Sequence, residues 1–142
     1  MKMHPLVFAS ILLISDLALN FTSSRILKFL GIDLLFFSSW LSGIKYGILD
    51  GFIISLALLL GHSIVHINKN KFILFSLPAQ FSAVILGYFL GESGFLKSLL
   101  VYQLINTGLM VVLGGIGPLF LIFLLTNTAF NIILYKIWVL VF

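Results

Sequence analysis

The 142-residue chain has no cysteine, three prolines and only 8% charged residues. The missing cysteine excludes disulfides, iron–sulfur clusters and thiolate metal sites. Eight Lys and Arg with four Asp and Glu are too few to cover a soluble core with polar surface, so water-soluble enzymes and nucleic-acid-binding modules are poor readings. The net charge of +4 is spread along the sequence rather than gathered in a patch, as expected of basic residues that anchor loops at a membrane surface, with no nucleic-acid partner. No serine–histidine–acid grouping, phosphate loop or pair of catalytic carboxylates can be assembled. The expectation is a protein that is not an enzyme and carries no cofactor.

What the chain does have is apolar length, with 61% hydrophobic residues. At about 20 apolar residues per crossing, this length accommodates five or six membrane helices and no extramembrane domain. The expected fold is all-α: a polytopic transmembrane helical bundle of about six helices, five being the alternative, forming one integral membrane domain over 1–142. The runs 5–21, 26–42, 46–67, 72–91, 96–113 and 119–141 are the candidate spans. The first opens on a proline, which a helix start tolerates, and is expected to stay in the mature chain and to end at Thr22-Ser23-Ser24-Arg25. The second is the weakest, with Lys28 and Asp33 in its early turns and Ser38, Ser39 and Ser42 at its end, and can be tilted or interfacial. Gly114-Gly115-Ile116-Gly117-Pro118 cannot continue a straight helix and separates the last two. Six crossings put both termini on one side. They give each side four basic residues, with Lys2, Lys45, Lys97 and Lys136 opposing Arg25, Lys28, Lys69 and Lys71, so orientation stays open.

Gly43, Gly47 and Gly51 recur every four residues, a spacing that places them on one helix face where a neighbouring backbone can approach closely. Gly87 and Gly91 repeat the step, and Ala79 and Ala83 extend that small face. A tight helix crossing is the expected role, with a partner-protein interface as the alternative. Asp16, Asp33 and Asp50 are ionisable groups at or near membrane depth, where charge is paired or faces a polar cavity. Asp33 and Asp50 are expected near helix ends beside Lys28 or Lys45, and Asp16 deeper. His62 and His66 stand four residues apart and are weak metal candidates; without a third ligand nearby, no metal is expected and interfacial positions are preferred. Gln80, Gln103, Asn106, Asn127 and Asn131 are intramembrane amides that can hydrogen-bond between helices or line a pocket.

The stretch GIDLLFFSSWLSGIKYGILDGF, from Gly31 to Phe52, resembles the MreD family of bacterial rod-shape-determining proteins. Gly87-Tyr88-Phe89-Leu90-Gly91 is similar to the Gly-Tyr-x-x-Gly of a later helix in that family, and Asn131 to the asparagine of its last helix. Ile32 stands where the family carries a proline, and Leu59 where it carries an acidic residue. The resemblance implies a scaffold in the cytoplasmic membrane that links MreC-like and cell-wall synthesis proteins, with Asp33 and Asn131 as matched polar positions. Gly43-x-Lys45-Tyr46-Gly47-x-x-x-Gly51 is also similar to the substrate-binding S components of energy-coupling-factor transporters, which are six-helix proteins. That alternative implies transporter coupling subunits as partners and a pocket lined by Gln80, Gln103, Asn106 and Asn127. An accessory subunit of a larger membrane complex is a third possibility. In every case the lipid bilayer is a partner.

Overall fold

The computed structural model describes residues 4–26, 32–65 and 70–141, and all regular structure within them is helical. Seven α-helices follow in order: α1 (Pro5–Ile26), α2 (Leu35–Tyr46), α3 (Ile48–Val65), α4 (Asn70–Phe75), α5 (Leu77–Leu90), α6 (Phe95–Val112) and α7 (Pro118–Val141). Among the described residues, four segments are long and apolar enough to cross a membrane: Pro5–Thr22, Ile73–Leu90, Glu92–Val112 and Pro118–Val141; the helix Ile48–Ile64 is shorter. The chain is an all-α helical membrane protein.

Helix α1 runs past the expected stop at Thr22. The Thr22 hydroxyl donates to the Ala18 carbonyl at 2.8 Å, so this polar residue is satisfied within the helix instead of ending it. Helices α4 and α5 form one bent crossing. Pro78 lies at the start of α5 and has no N–H to continue the ladder, while the Ser76 hydroxyl caps the Ile73 carbonyl at 2.6 Å. A left-handed Gly91, φ 61°, ends α5, and one turn of 3-10 helix at Glu92–Gly94 leads into α6. Gly114, φ 69°, breaks the chain before Pro118 opens α7.

The second expected span is replaced by a different element. Helix α2 has 12 residues, about 18 Å at 1.5 Å per residue, which cannot cross a hydrocarbon layer of about 30 Å. Every residue from Leu35 to Gly43 is buried, so α2 is enclosed by the other helices rather than facing lipid. It packs against α5, α3, α6, α7 and α1. The polar serines that made this segment look weak are what a helix surrounded by protein can carry.

Gly47 explains how α2 is held. Its φ of 86° breaks the helix between Tyr46 and Ile48, so Gly43, Gly47 and Gly51 do not share one face of one helix as their spacing suggested. Instead α2 and α3 fold back on each other about Gly47: Gly51 approaches the Gly43 backbone, and the Ser39 and Ser55 hydroxyls meet at 2.8 Å. The tightest crossing is that of α2 on α5. A Cβ on Gly43 would strike the carbonyl of Val84, and one on Gly87 would strike the carbonyl of Trp40, so each glycine admits the other helix's backbone. Gly91 has no such role, because nothing lies within 4 Å of where its Cβ would be; it is a helix terminator. Below this crossing an aromatic cluster closes the bundle, with Phe95 stacked on Tyr135 at 4.1 Å and Trp40 edge-on to Phe95 at 5.0 Å.

Candidate functional site: a buried polar network between α1, α2, α3, α6 and α7

The deepest polar groups converge around the N-terminus of α2. Asp16, on α1, is fully buried and accepts the Leu34 backbone N–H at 2.8 Å through Oδ1. Its Oδ2 lies 2.8 Å from Nδ1 of His62 on α3. The Asn20 amide nitrogen lies 3.1 Å from the same ring nitrogen and donates to the Asp16 carbonyl at 2.7 Å. Asp33, immediately before α2, accepts the Leu35 N–H at 3.1 Å. Two carboxylates therefore receive the unpaired amides of a helix start, where the macrodipole favours negative charge.

From Asp33 the network continues across the bundle. Its Oδ2 accepts the Asn127 side-chain amide of α7 at 3.2 Å. Asn127 Oδ1 in turn accepts from Gln103 Nε2 of α6 at 2.9 Å and from Asn131 Nδ2 at 3.1 Å. Gln103 Nε2 also reaches Thr128 Oγ1 at 3.1 Å. Asn106 follows one turn after Gln103 on the same buried face of α6. Asp16 lies about 16 Å along α1 and Asn127 about 14 Å along α7 from the start of each helix, well inside both apolar segments.

Three oxygens of this network have no hydrogen-bond partner: Gln103 Oε1, Asn106 Oδ1 and Asn131 Oδ1. A buried acceptor left without a donor costs about 1–3 kcal/mol. Amides serving only to join helices would be expected to satisfy both ends.

The sequence-derived candidates separate into three groups. Asp16, Asp33, His62, Gln103, Asn127 and Asn131 come together, with Asn106 beside them. Asp33 lies at a helix end as expected, immediately before α2, but its carboxylate is buried and held by Leu35 and Asn127. His62, in the last turn of α3, is buried against Asp16. Gln80 belongs elsewhere. It accepts from Ser39 Oγ at 2.8 Å and donates to Tyr102 Oη at 3.2 Å, joining α2, α5 and α6. Asp50 is exposed in the first turn of α3, where the helix dipole accommodates it. Its proposed neighbour Lys45 instead lies 5.0 Å over the Trp138 ring. Lys28 and His66 lie outside the described residues, and among the described residues no three His, Asp or Glu side chains gather as metal ligands.

Asn20, Ser39, Ser55, Tyr102 and Thr128 take part in these networks without having stood out in the sequence. Hydroxyls are common in apolar runs, and only the pairing Ser39–Ser55 across Gly47 gives a signal, visible once the chain is known to turn there. No family model matches the sequence, and no curated protein and no solved structure matches it either.

Proposed function

We propose that this chain is a solute-binding membrane subunit of the transport type, resident in the cytoplasmic membrane, that holds a small polar solute beside Asp33, Gln103, Asn106 and Asn131. One observation carries this: a buried polar network drawn from five helices leaves three buried amide oxygens without donors. Such groups are costly in a membrane interior and are retained where a ligand completes them. Binding needs no covalent chemistry from the protein. Coupling subunits that power or gate movement would be its partners.

A scaffold role resembling MreD draws on the glycines at 43, 47 and 51. In this fold Gly43 receives α5 and Gly47 makes the turn into α3, so neither is free to receive a partner. The solute-binding role is therefore preferred.

The test uses the purified full chain in lipid nanodiscs. Thermal unfolding, followed by the fluorescence of Trp40 and Trp138, is measured against a panel of vitamins, amino acids, small amines, sugars and inorganic ions. Saturable stabilisation by one class is the expected outcome. A midpoint unmoved by every member would rule the role out. Recovery of MreC-like and cell-wall synthesis proteins in a native pull-down, in place of transporter subunits, would favour the scaffold.

A further inference from the structure

Helix α7 is held at two levels by different chemistry. It is the least buried of the four crossing segments. None of residues 118–126 is buried, and the first side chains that α7 buries are Asn127 and, one turn later, Asn131. At this level its ties to other elements are polar: Asn127 to Asp33 before α2, and Gln103 of α6 to Asn127 and Thr128. The carboxy-terminal part is gripped by rings. Tyr135 stacks on Phe95, lies edge-on to Trp40 and donates its hydroxyl proton to the Glu92 carbonyl at 3.2 Å. Trp138 meets Phe37 and has Lys45 over its face.

The two holds differ in what releases them. An apolar side chain that leaves a helix contact inside a bilayer is received by lipid of similar polarity, so apolar contact alone holds a membrane helix weakly. The first nine residues of α7 therefore lose little by moving outward, and the resistance lies in the amides at 103 and 127. The interlocked rings at the other end, reinforced by a hydrogen bond and a cation, serve as a pivot. The connection from α6 permits the motion and limits it. Gly114 has φ 69°, and nothing lies within 4 Å of where a Cβ on Gly114 or Gly117 would be, as suits a hinge; extended, residues 113–117 reach about 17 Å at most. We propose that α7 is a gate over the buried polar network, pivoting at Tyr135 and Trp138 and swinging its amino-terminal half away from α6 when the Asp33–Asn127–Gln103 tie opens. Opening uncovers Asp33 and Gln103, which α7 now closes over. That the gate admits a solute rests on the binding role proposed above; the motion does not.

The chain has no cysteine, so pairs of spin labels need no other substitution. In the full chain in nanodiscs, Leu121 near the start of α7 and Val139 near its end are each paired with Leu56 on α3 or Leu100 on α6, all four exposed, and the distances are read by double electron–electron resonance. Asn127→Leu cuts the tie from α7 and Gln103→Leu cuts it from α6. Each should raise the population of a longer Leu121 distance about threefold or more over wild type, while the Val139 distances keep their position and width. Leu121 distances unchanged in both variants would overturn the gate. So would Leu121 and Val139 shifting together, or loss of the folded state in both variants, since the tie would then hold the whole bundle. A solute that stabilises the chain should lower the longer-distance population; one that binds and leaves it unchanged would overturn gating of that site. If no solute binds and Leu121 still moves as expected, the binding role fails and the gate stands.

Discussion

His62 Nδ1 lies 2.8 Å from Asp16 Oδ2, tying α3 to α1 where the carboxylate is wholly shielded from the outside. Breaking a buried pair by removing one partner leaves the other polar group stranded, whereas replacing both by apolar groups removes the need for either. Asp16→Leu and His62→Leu should each lose about 3–5 kcal/mol of stability, and the double variant should lose clearly less than their sum. Reversible unfolding in mixed micelles, arranged as a double-mutant cycle, checks this. Additive losses would mean that the two side chains act independently.

The α2–α5 crossing makes a sharper demand. Gly43→Val and Gly87→Val would drive a side chain into the opposing carbonyl, and each should cost about 1–3 kcal/mol or more. Gly108 on α6 is the control, because nothing lies within 4 Å of where its Cβ would be. Gly108→Ala should therefore be neutral or stabilising by up to about 1 kcal/mol, through helix propensity alone. Equal behaviour of all three variants in the same unfolding assay would contradict close backbone packing at this crossing.

Gly47 acts through its backbone, and its nearest obstacle, the Tyr88 ring at 3.9 Å, is ordinary contact. Gly47→Ala should cost about 1–3 kcal/mol because of the positive φ, even though a methyl group fits. A variant as stable as wild type would show that the α2–α3 turn can relax into a right-handed conformation.

Gln80 is predicted to be structural. Its replacement by Leu strands the Tyr102 phenol and leaves the Ser39 hydroxyl with Ser55 alone, and should lower stability by about 1–3 kcal/mol. Solute affinity in the nanodisc titration should stay within about threefold of wild type. A loss of affinity without a loss of stability would move Gln80 into the binding site.

Much of the fold is visible in the residues, because a bilayer tolerates few alternatives to long apolar helices. The crossings α6 and α7 fall within a residue or two of their apolar runs. The elements that escaped are those governed by protein rather than lipid. Helix α2 carries three serines and a lysine, and a hydropathy pattern cannot tell a helix sheathed by other helices from a weak one at an interface. The four-residue glycine step likewise reads as one continuous face unless Gly47 is known to be left-handed. Among the site residues, Asp16 and the amides at 103, 127 and 131 were conspicuous as intramembrane polar groups. Their convergence was not, since it depends on pairings such as Asp33 with Asn127, 94 positions apart.

Helix α2 also has a consequence for biogenesis. From Leu35 to Gly43 no residue is left facing outward, so the lipid-facing surface that lets an ordinary crossing rest stably on its own is missing here. Its companions α5, α6 and α7 all emerge later in synthesis. The nascent amino-terminal half therefore holds Ser39 without Gln80 and Asp33 without Asn127 until the carboxy-terminal half arrives. Maturation of this protein is a late enclosure of an early segment, and its most vulnerable moment comes before α5 is made.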